Sequence, residues 1–275
     1  MRKYTSAARM PLCKWIVCLL GGLLIFTILQ GLAMSIPDRM PWPLLCLSYL
    51  AAGGLVLFLY AVWVNLTERR PVLELPMEKM APDLCKGIGL GLGFFAMVVG
   101  IMALAGCYRV AGVQFEIAPQ LTGFFLFFLV AVCEEVVFRG VLFRLIDDRW
   151  NTTVALLVSA LVFGAAHFIN PGATWWSSLA IAVEAGLLLG AAYKFSGNLW
   201  LPIGIHWIWN YVQGYVLGFA VSGIPVGSKI LSPVISGSDL LTGGVFGAEA
   251  SIISVGIGLI LAVILLMLAP DDRRR

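Results

Sequence analysis

Long apolar stretches recur along the chain, separated by shorter polar segments. They lie at residues 15–36, 44–65, 87–107, 121–146, 152–170, 175–195, 199–221 and 250–269. A helix of about 20 apolar residues crosses the roughly 30 Å hydrocarbon core of a bilayer. The pattern therefore predicts an all-α polytopic membrane protein with about eight transmembrane helices.

Composition and charge placement agree with a membrane protein. The chain is 60% hydrophobic and only 12% charged, whereas soluble domains carry about 25% charged residues. If the N-terminus is cytoplasmic, all Lys and Arg residues except Arg39, Arg109 and Lys229 fall on the inside. This positive-inside bias predicts that both termini are cytoplasmic. It also accounts for the net charge of +3, so we expect no nucleic-acid partner.

Two polar loops divide the chain into three predicted parts. Residues 65–87 mix charges with prolines, and we expect them on the cytoplasmic surface. The loop at 222–250 is rich in Gly, Ser and Pro, and we expect it to be irregular and outside. The predicted parts are two helices and a loop (1–86), a membrane core (87–221), and the outer loop with the last helix (222–275).

The stretch AVCEEVVFRGVLF (131–143) places charges inside an apolar span. A charge at the bilayer centre costs about 2.5–3.5 kcal/mol on insertion scales, so these charges should have a purpose. Glu135 and Arg139 are four residues apart and can pair on one helical face. Glu134 points elsewhere and has Phe138 at the matching position. Glu135 is therefore predicted to be structural, and Glu134 free for acid–base chemistry.

Further polar residues fall within neighbouring spans. The only two histidines, His167 and His206, lie in the fifth and seventh predicted spans, and Asn210 follows His206 by four residues. Glu184 is an unpaired acid in the sixth span, predicted to line the same cavity. Each residue alone could simply join helices by a hydrogen bond, but the set together favours a functional site within the membrane.

Three motifs occur in order on successive spans: E-E-x-x-x-R (Glu134, Glu135, Arg139), F-x-x-x-H (Phe163, His167) and H-x-x-x-N (His206, Asn210). In these motifs the chain resembles the CPBP family of intramembrane proteases. That family includes CAAX prenyl endopeptidases of the Rce1 type and bacterial Abi or bacteriocin-immunity proteins. The resemblance covers about residues 120–212, and LTGGVFGAEAS (241–251) is similar to a loop of some bacterial members.

The resemblance implies a role for each motif residue. Glu134 would activate a water for attack on the scissile carbonyl, with His167 helping to hold or deprotonate that water. His206 and Asn210 would donate hydrogen bonds to the oxyanion. The structural supports would be Glu135, Arg139 and Phe163. The implied protein is an endopeptidase of the bacterial plasma membrane that acts on membrane-associated peptides or proteins.

Other interpretations remain open at this point. Glu134, His167 and His206 could bind zinc as a His₂Glu site with a position open for water, although we expect that no cofactor is required. Buried carboxylates and histidines also form proton relays, as in an ion-coupled transporter, but the two halves of the chain show no repeat. A non-catalytic scaffold or immunity protein is the third alternative.

Overall fold

The computed structural model describes residues 10–37 and 39–270. Several basic residues used for the predicted topology, namely Arg2, Lys3, Arg9 and residues 273–275, lie outside these ranges. The described part is almost entirely helical, which confirms the predicted class of polytopic helical membrane protein.

The described residues form eleven α-helices. In chain order they are α1 (Leu12–Met34), α2 (Trp42–Trp63), α3 (Met77–Leu104), α4 (Ile117–Glu135), α5 (Arg144–Arg149), α6 (Thr152–Ala166), α7 (Trp175–Ile181), α8 (Leu188–Ser196), α9 (Trp200–Tyr211), α10 (Asp239–Thr242) and α11 (Ile252–Leu268). Stretches of π-helix follow α2, α4, α7 and α9, at Val64–Glu68, Val136–Phe143, Ala182–Leu187 and Val212–Val216. These stretches are notable because π-helical turns are frequent at functional sites.

Six continuous helical stretches are long and apolar enough to cross a membrane. They are Leu12–Met34, Trp42–Glu68, Met77–Leu104, Ile117–Arg149, Thr152–Ile169 and Trp175–Ser196. The last two predicted spans are also helical, but they are shorter than the apolar pattern suggests. The seventh ends before Gly218, whose φ is +80°. The eighth begins at Ile252 because Ser251 caps it, accepting a hydrogen bond from the Ser254 backbone.

A small antiparallel sheet interrupts the helical architecture. Strand β1 (Tyr108–Val113) pairs with β2 (Leu231–Ile235), with Tyr108 opposite Ile235. The strand β2 lies within the loop that we predicted to be irregular. Its partner is more than a hundred residues away, so local turn signals do not reveal the pairing.

Helix α9 carries part of the functional site and packs closely on α3 through glycines. A Cβ added at Gly204 would lie 2.7 Å from the Leu84 carbonyl oxygen, and one added at Gly87 would overlap the backbone of α9. Small residues let membrane helices approach in this way. The close packing fixes the depth and rotation of α9, and therefore of His206 and Asn210.

The first polar loop is not simply a surface segment. Glu68 and Glu74 are buried against the core and surround Arg144 together with Arg70. We call these four residues the Arg144 cluster. Arg144 follows the π-helical stretch of the long helix Ile117–Arg149, so the cluster ties the N-terminal helices to the helix that carries Glu134 and Glu135.

Candidate active site

A buried ion pair organises the site. Arg139 Nη1 lies 2.8 Å from Glu135 Oε1, and both side chains are fully buried. The guanidinium also donates to the carbonyl oxygens of Ala185 and Gly186 at 3.3 Å. The pair has the spacing that the sequence predicts, and the two carbonyl contacts join the helix Ile117–Arg149 to the π-helical stretch after α7.

Glu135 also holds a histidine in a defined orientation. His206 Nδ1 lies 2.8 Å from the same Oε1 atom. Because a carboxylate can only accept, Nδ1 carries the proton in this contact. The other ring nitrogen, Nε2, faces Glu134, with 3.8 Å between Nε2 and Glu134 Oε2. We call Glu135, Arg139 and His206 the Arg139 cluster.

Glu134 is close to polar groups but is not saturated by them. Its Oε1 atom is 3.5 Å from Gln30 Nε2, a contact contributed by α1. Its Oε2 atom is buried without a hydrogen-bond partner. The separation of 3.8 Å from His206 is too long for a direct hydrogen bond, and it suits two groups that act on a shared water.

The F-x-x-x-H motif places Phe163 and His167 on the side of the site that faces the Arg139 cluster. His167 follows the last turn of α6, where its Nδ1 lies 2.8 Å from the Phe163 carbonyl oxygen. The Phe163 ring is 4.6 Å from the His167 ring and 6.2 Å from the His206 ring, and Arg139 Cζ lies 4.8 Å from its centroid. Phe163 thus packs between the two histidines and the buried arginine. Within the described residues, no hydrogen bond or ion pair joins His167 to Glu134.

A small, partly open cavity with room for about one water molecule adjoins these groups. Its polar walls are formed by His167, His206, Asn210, Ser222 and Glu249. Its apolar walls include Phe163, Ile181, Ala185, Leu189 and Trp209. The cavity therefore brings together His167, His206 and Asn210, as the sequence predicts, whereas Glu134 adjoins it through its contact with His206.

Glu184 does not line this cavity. Ile181 and Ala185, which are four residues apart, form the wall, whereas Glu184 points to the other side of the helix and is 0% exposed. Gly258 of α11 packs against it, and a Cβ added there would lie 2.9 Å from the Glu184 Cα. The residues Ala182–Leu187 form a π-helical stretch, and its wider i→i+5 turn rotates residue 184 off the face that 181 and 185 share.

Glu249 is a cavity residue that the sequence reasoning did not single out. It lies within the segment similar to a bacterial loop, and its Oε1 accepts a hydrogen bond from the Ser222 backbone. Burial raises the pKa of Glu249 to about 7, while hydrogen bonds from Ser222 and Gln213 act in the opposite direction. The apolar periodicity contained no signal for this residue, because it lies in a loop.

The zinc alternative needs three suitably placed ligands. In the part of the chain that the structure describes, no group of three His, Cys, Asp or Glu side chains is arranged to hold a metal ion. Glu134 and His206 are neighbours, but His167 does not join them. The donor set as folded does not fit a His₂Glu site.

The fold and site define a polytopic membrane protein with an acid–histidine cluster between its helices. Residues 117–212 match the family described as type II CAAX prenyl endopeptidase Rce1-like. The match confirms the resemblance seen in the three motifs, which lie within these residues.

The chain is also similar to the uncharacterized protein YpbD of Bacillus subtilis (strain 168). The two are 34% identical over 84 residues, which is 30% of this chain and 39% of YpbD. The chain thus matches well under half the length of this relative. No solved structure matches the chain.

Proposed function

We propose that the protein is an intramembrane endopeptidase that hydrolyses peptide bonds of membrane-associated protein substrates with a water activated by Glu134. One observation carries the proposal: Glu135 orients His206 so that its Nε2 faces the unsaturated carboxylate of Glu134 across 3.8 Å, at the wall of the cavity. The Rce1-like domain supports the same reaction class.

The orientation of His206 defines what its ring can do. With the proton on Nδ1 held by Glu135, Nε2 of the neutral ring is an acceptor, and Nε2 of the protonated ring is a donor. A water between Nε2 and Glu134 Oε2 can lose its proton to Glu134 as its oxygen attacks the carbonyl carbon. If His206 enters the reaction already protonated on both ring nitrogens, Nε2 donates to the oxyanion and keeps its proton throughout.

Asn210 and His167 complete the proposed arrangement around the scissile bond. Asn210 lies on the same cavity wall as His206, and its amide is a second hydrogen-bond donor for the oxyanion. His167 Nδ1 is engaged by the Phe163 carbonyl, which leaves Nε2 to hold the water or the substrate. A single oxyanion donor typically contributes about 10²–10³-fold to the rate.

The surroundings of the site favour a substrate held in the membrane. The cavity has apolar walls and lies between helices that are long enough to span a bilayer. Similarity to a Bacillus protein favours the bacterial plasma membrane as the location. Membrane-anchored proteins are therefore the substrate class that we propose.

The experiment compares protein termini in membranes. Cells lacking the gene are supplied with the wild-type chain, the Glu134→Gln variant, or a control variant at the exposed Glu78. New N-termini of membrane proteins should appear with the wild type and Glu78→Gln, and be absent with Glu134→Gln. The same termini in all three samples would contradict the proposal. Intact cleavage with loss of solute flux in Glu134→Gln would support a transporter instead.

A further inference from the structure

Glu249 reaches the cavity because the loop before α11 turns inward. Gly243, Gly244 and Gly247 have φ values of +83°, +58° and +120°, which favour glycine and let the chain turn inward before α11. Trp176 Nε1 donates to the Ala250 carbonyl oxygen at 2.7 Å and anchors the loop beside the carboxyl. On the other side of Glu249, the Phe246 carbonyl accepts a hydrogen bond from the Gly223 backbone at 2.7 Å, so the loop is held on both sides of the carboxyl.

A second set of contacts links Glu249 to the turn that carries His167. Ser222 donates its backbone N–H to Glu249, and the Ser222 carbonyl accepts a hydrogen bond from Asn170 Nδ2 at 3.0 Å. Asn170 follows His167 by three residues. Glu249, His167 and His206 are therefore held on the walls of one cavity.

Glu184 lies behind this cavity wall and has no partner of its own. It is fully buried, and neither of its carboxylate oxygens has a hydrogen-bond partner among the described residues. Its chain neighbour Ala185 lines the same cavity as Glu249, and the two carboxyls are close enough to interact electrostatically. Two ionised carboxylates could coexist there only at high cost, so a proton retained by the pair is favoured.

We propose that Glu249 is a further catalytic residue, the acid that protonates the departing amine nitrogen, and that Glu184 is a positioning residue that keeps the proton on the pair. This inference rests on the proposed function. Glu134 adjoins the cavity only through His206, whereas Glu249 lines it, so Glu249 is the better placed of the two acids to reach the leaving nitrogen. Glu249 is a carboxyl that lines the cavity beside the oxyanion donors.

The reaction balances without any other reagent. The water oxygen bonds to the carbonyl carbon while the water proton passes to Glu134. As the C–N bond breaks, the Glu249 carboxylic acid gives its proton to the nitrogen, which leaves as an amine. The proton on Glu134 then returns to Glu249 through water in the cavity. The net change is amide plus water giving carboxylic acid plus amine.

A comparison of leaving groups tests this role. One peptide from a cleavage site mapped in the membrane comparison is prepared twice, as an alkyl amide and as a nitrophenyl ester. The ester's phenolate leaves without being protonated, whereas the amine must take up a proton. The expected result is that Glu249→Gln slows amide cleavage by about 10²–10⁴-fold and cleaves the ester at nearly the wild-type rate.

The controls separate this inference from the proposed function. Glu134→Gln should lose both reactions, and the exposed Glu116→Gln should lose neither. If Glu249→Gln slowed the ester as much as the amide, or slowed neither, Glu249 would not be the acid. If Glu134→Gln cleaved both at the wild-type rate, the proposed function itself would be wrong.

Infrared spectroscopy provides a readout that does not depend on turnover. At neutral pH, the difference between the spectra of the wild type and Glu249→Gln should contain the C=O stretch of a protonated carboxyl. The band should weaken in Glu184→Gln, which removes the neighbour that keeps the proton there, and persist in Glu116→Gln. A Glu249 difference spectrum with only carboxylate bands would overturn the inference.

Discussion

Two buried arginines on one continuous helical stretch have opposite surroundings. In the Arg144 cluster, Arg144 donates from Nε to the Gly140 carbonyl oxygen at 2.8 Å and from Nη1 to Glu68 Oε2 at 2.9 Å, and Glu74 lies at 3.1 Å. None of the side-chain atoms in this cluster lacks a partner among the described residues. The cluster is fully compensated, which is what a structural connection requires.

The Arg139 cluster and its neighbour Glu134 are not compensated in this way. Arg139 Nε, Glu135 Oε2 and Glu134 Oε2 are buried without hydrogen-bond partners in the part of the chain that the structure describes. Unpartnered buried polar atoms are costly, and they concentrate at sites where a ligand or a reaction uses them. The difference between the clusters separates a charge group that holds the fold from one that is prepared for chemistry.

The largest effect is expected from breaking the compensated cluster. Replacing Arg144 with Met leaves Glu68 and Glu74 buried beside a single remaining cation, Arg70. The free energy of unfolding should fall by about 3–5 kcal/mol, the usual cost of removing one partner of a buried ion pair. Unfolding in mild detergent measures it, with the exposed Arg109→Met as control. Equal stability of the two variants would show that the Arg144 cluster is not structural.

The pH dependence of the free energy of unfolding should report on the buried carboxyl of Glu249 at the candidate active site. The pKa of Glu249 is raised by burial to about 7 from an ordinary value of 4.5, so the folded state binds more protons than the unfolded state between these values. Stability should therefore fall as the pH rises through this window, by on the order of 3 kcal/mol. Glu249→Gln should flatten the curve; a slope unchanged in that variant would assign the dependence to other groups.

A double-mutant cycle measures the coupling within the Arg139 cluster. Glu135→Gln and Arg139→Met should each destabilise the protein, and the double variant should be less unstable than the sum because it leaves no isolated charge. We expect a coupling energy of about 2 kcal/mol, typical of groups in one buried network. A control cycle that uses Glu116→Gln in place of Glu135→Gln should give no coupling energy. Additive effects at Glu135 and Arg139 would mean that the pair is not energetically connected.

The smallest effect is expected from replacing Phe163, whose ring lies between His167 and His206. Phe163→Leu keeps an apolar side chain but removes the ring that lies 4.8 Å from Arg139 Cζ. The expected loss of stability is about 1 kcal/mol, the size of a buried cation–π contact, together with slower cleavage because His167 loses its packing. Phe115→Leu, at an exposed position, is the matched control. A Phe163→Leu protein as active and stable as this control would remove Phe163 from the site.

The sequence predicts those parts of the molecule that depend on local spacing. The transmembrane helices follow from apolar length, and the contact between Glu135 and Arg139 follows from their separation by one helical turn. The convergence of His206 on Glu135 is a contact across 71 positions, and only the order of the motifs pointed to it.

Other parts depend on contacts that leave no periodic signal. Gln30 reaches Glu134 from a helix that carries none of the three motifs. Glu68 contacts Arg144, which lies 76 positions further along the chain. From the sequence alone, an acidic residue in a charged loop is expected at the surface. Glu249 is delivered by a glycine-rich loop, where neither helical nor strand periodicity applies. In each case the deciding interaction is tertiary.

The most direct test measures stability and cleavage together in one purified preparation of Glu134→Gln. Glu134 has only long contacts, at 3.5 Å to Gln30 and 3.8 Å to His206, so its replacement should leave the melting temperature close to the wild-type value while peptide cleavage disappears. A folded Glu134→Gln protein that still cleaves its substrate at the wild-type rate would contradict the assignment of water activation to this glutamate.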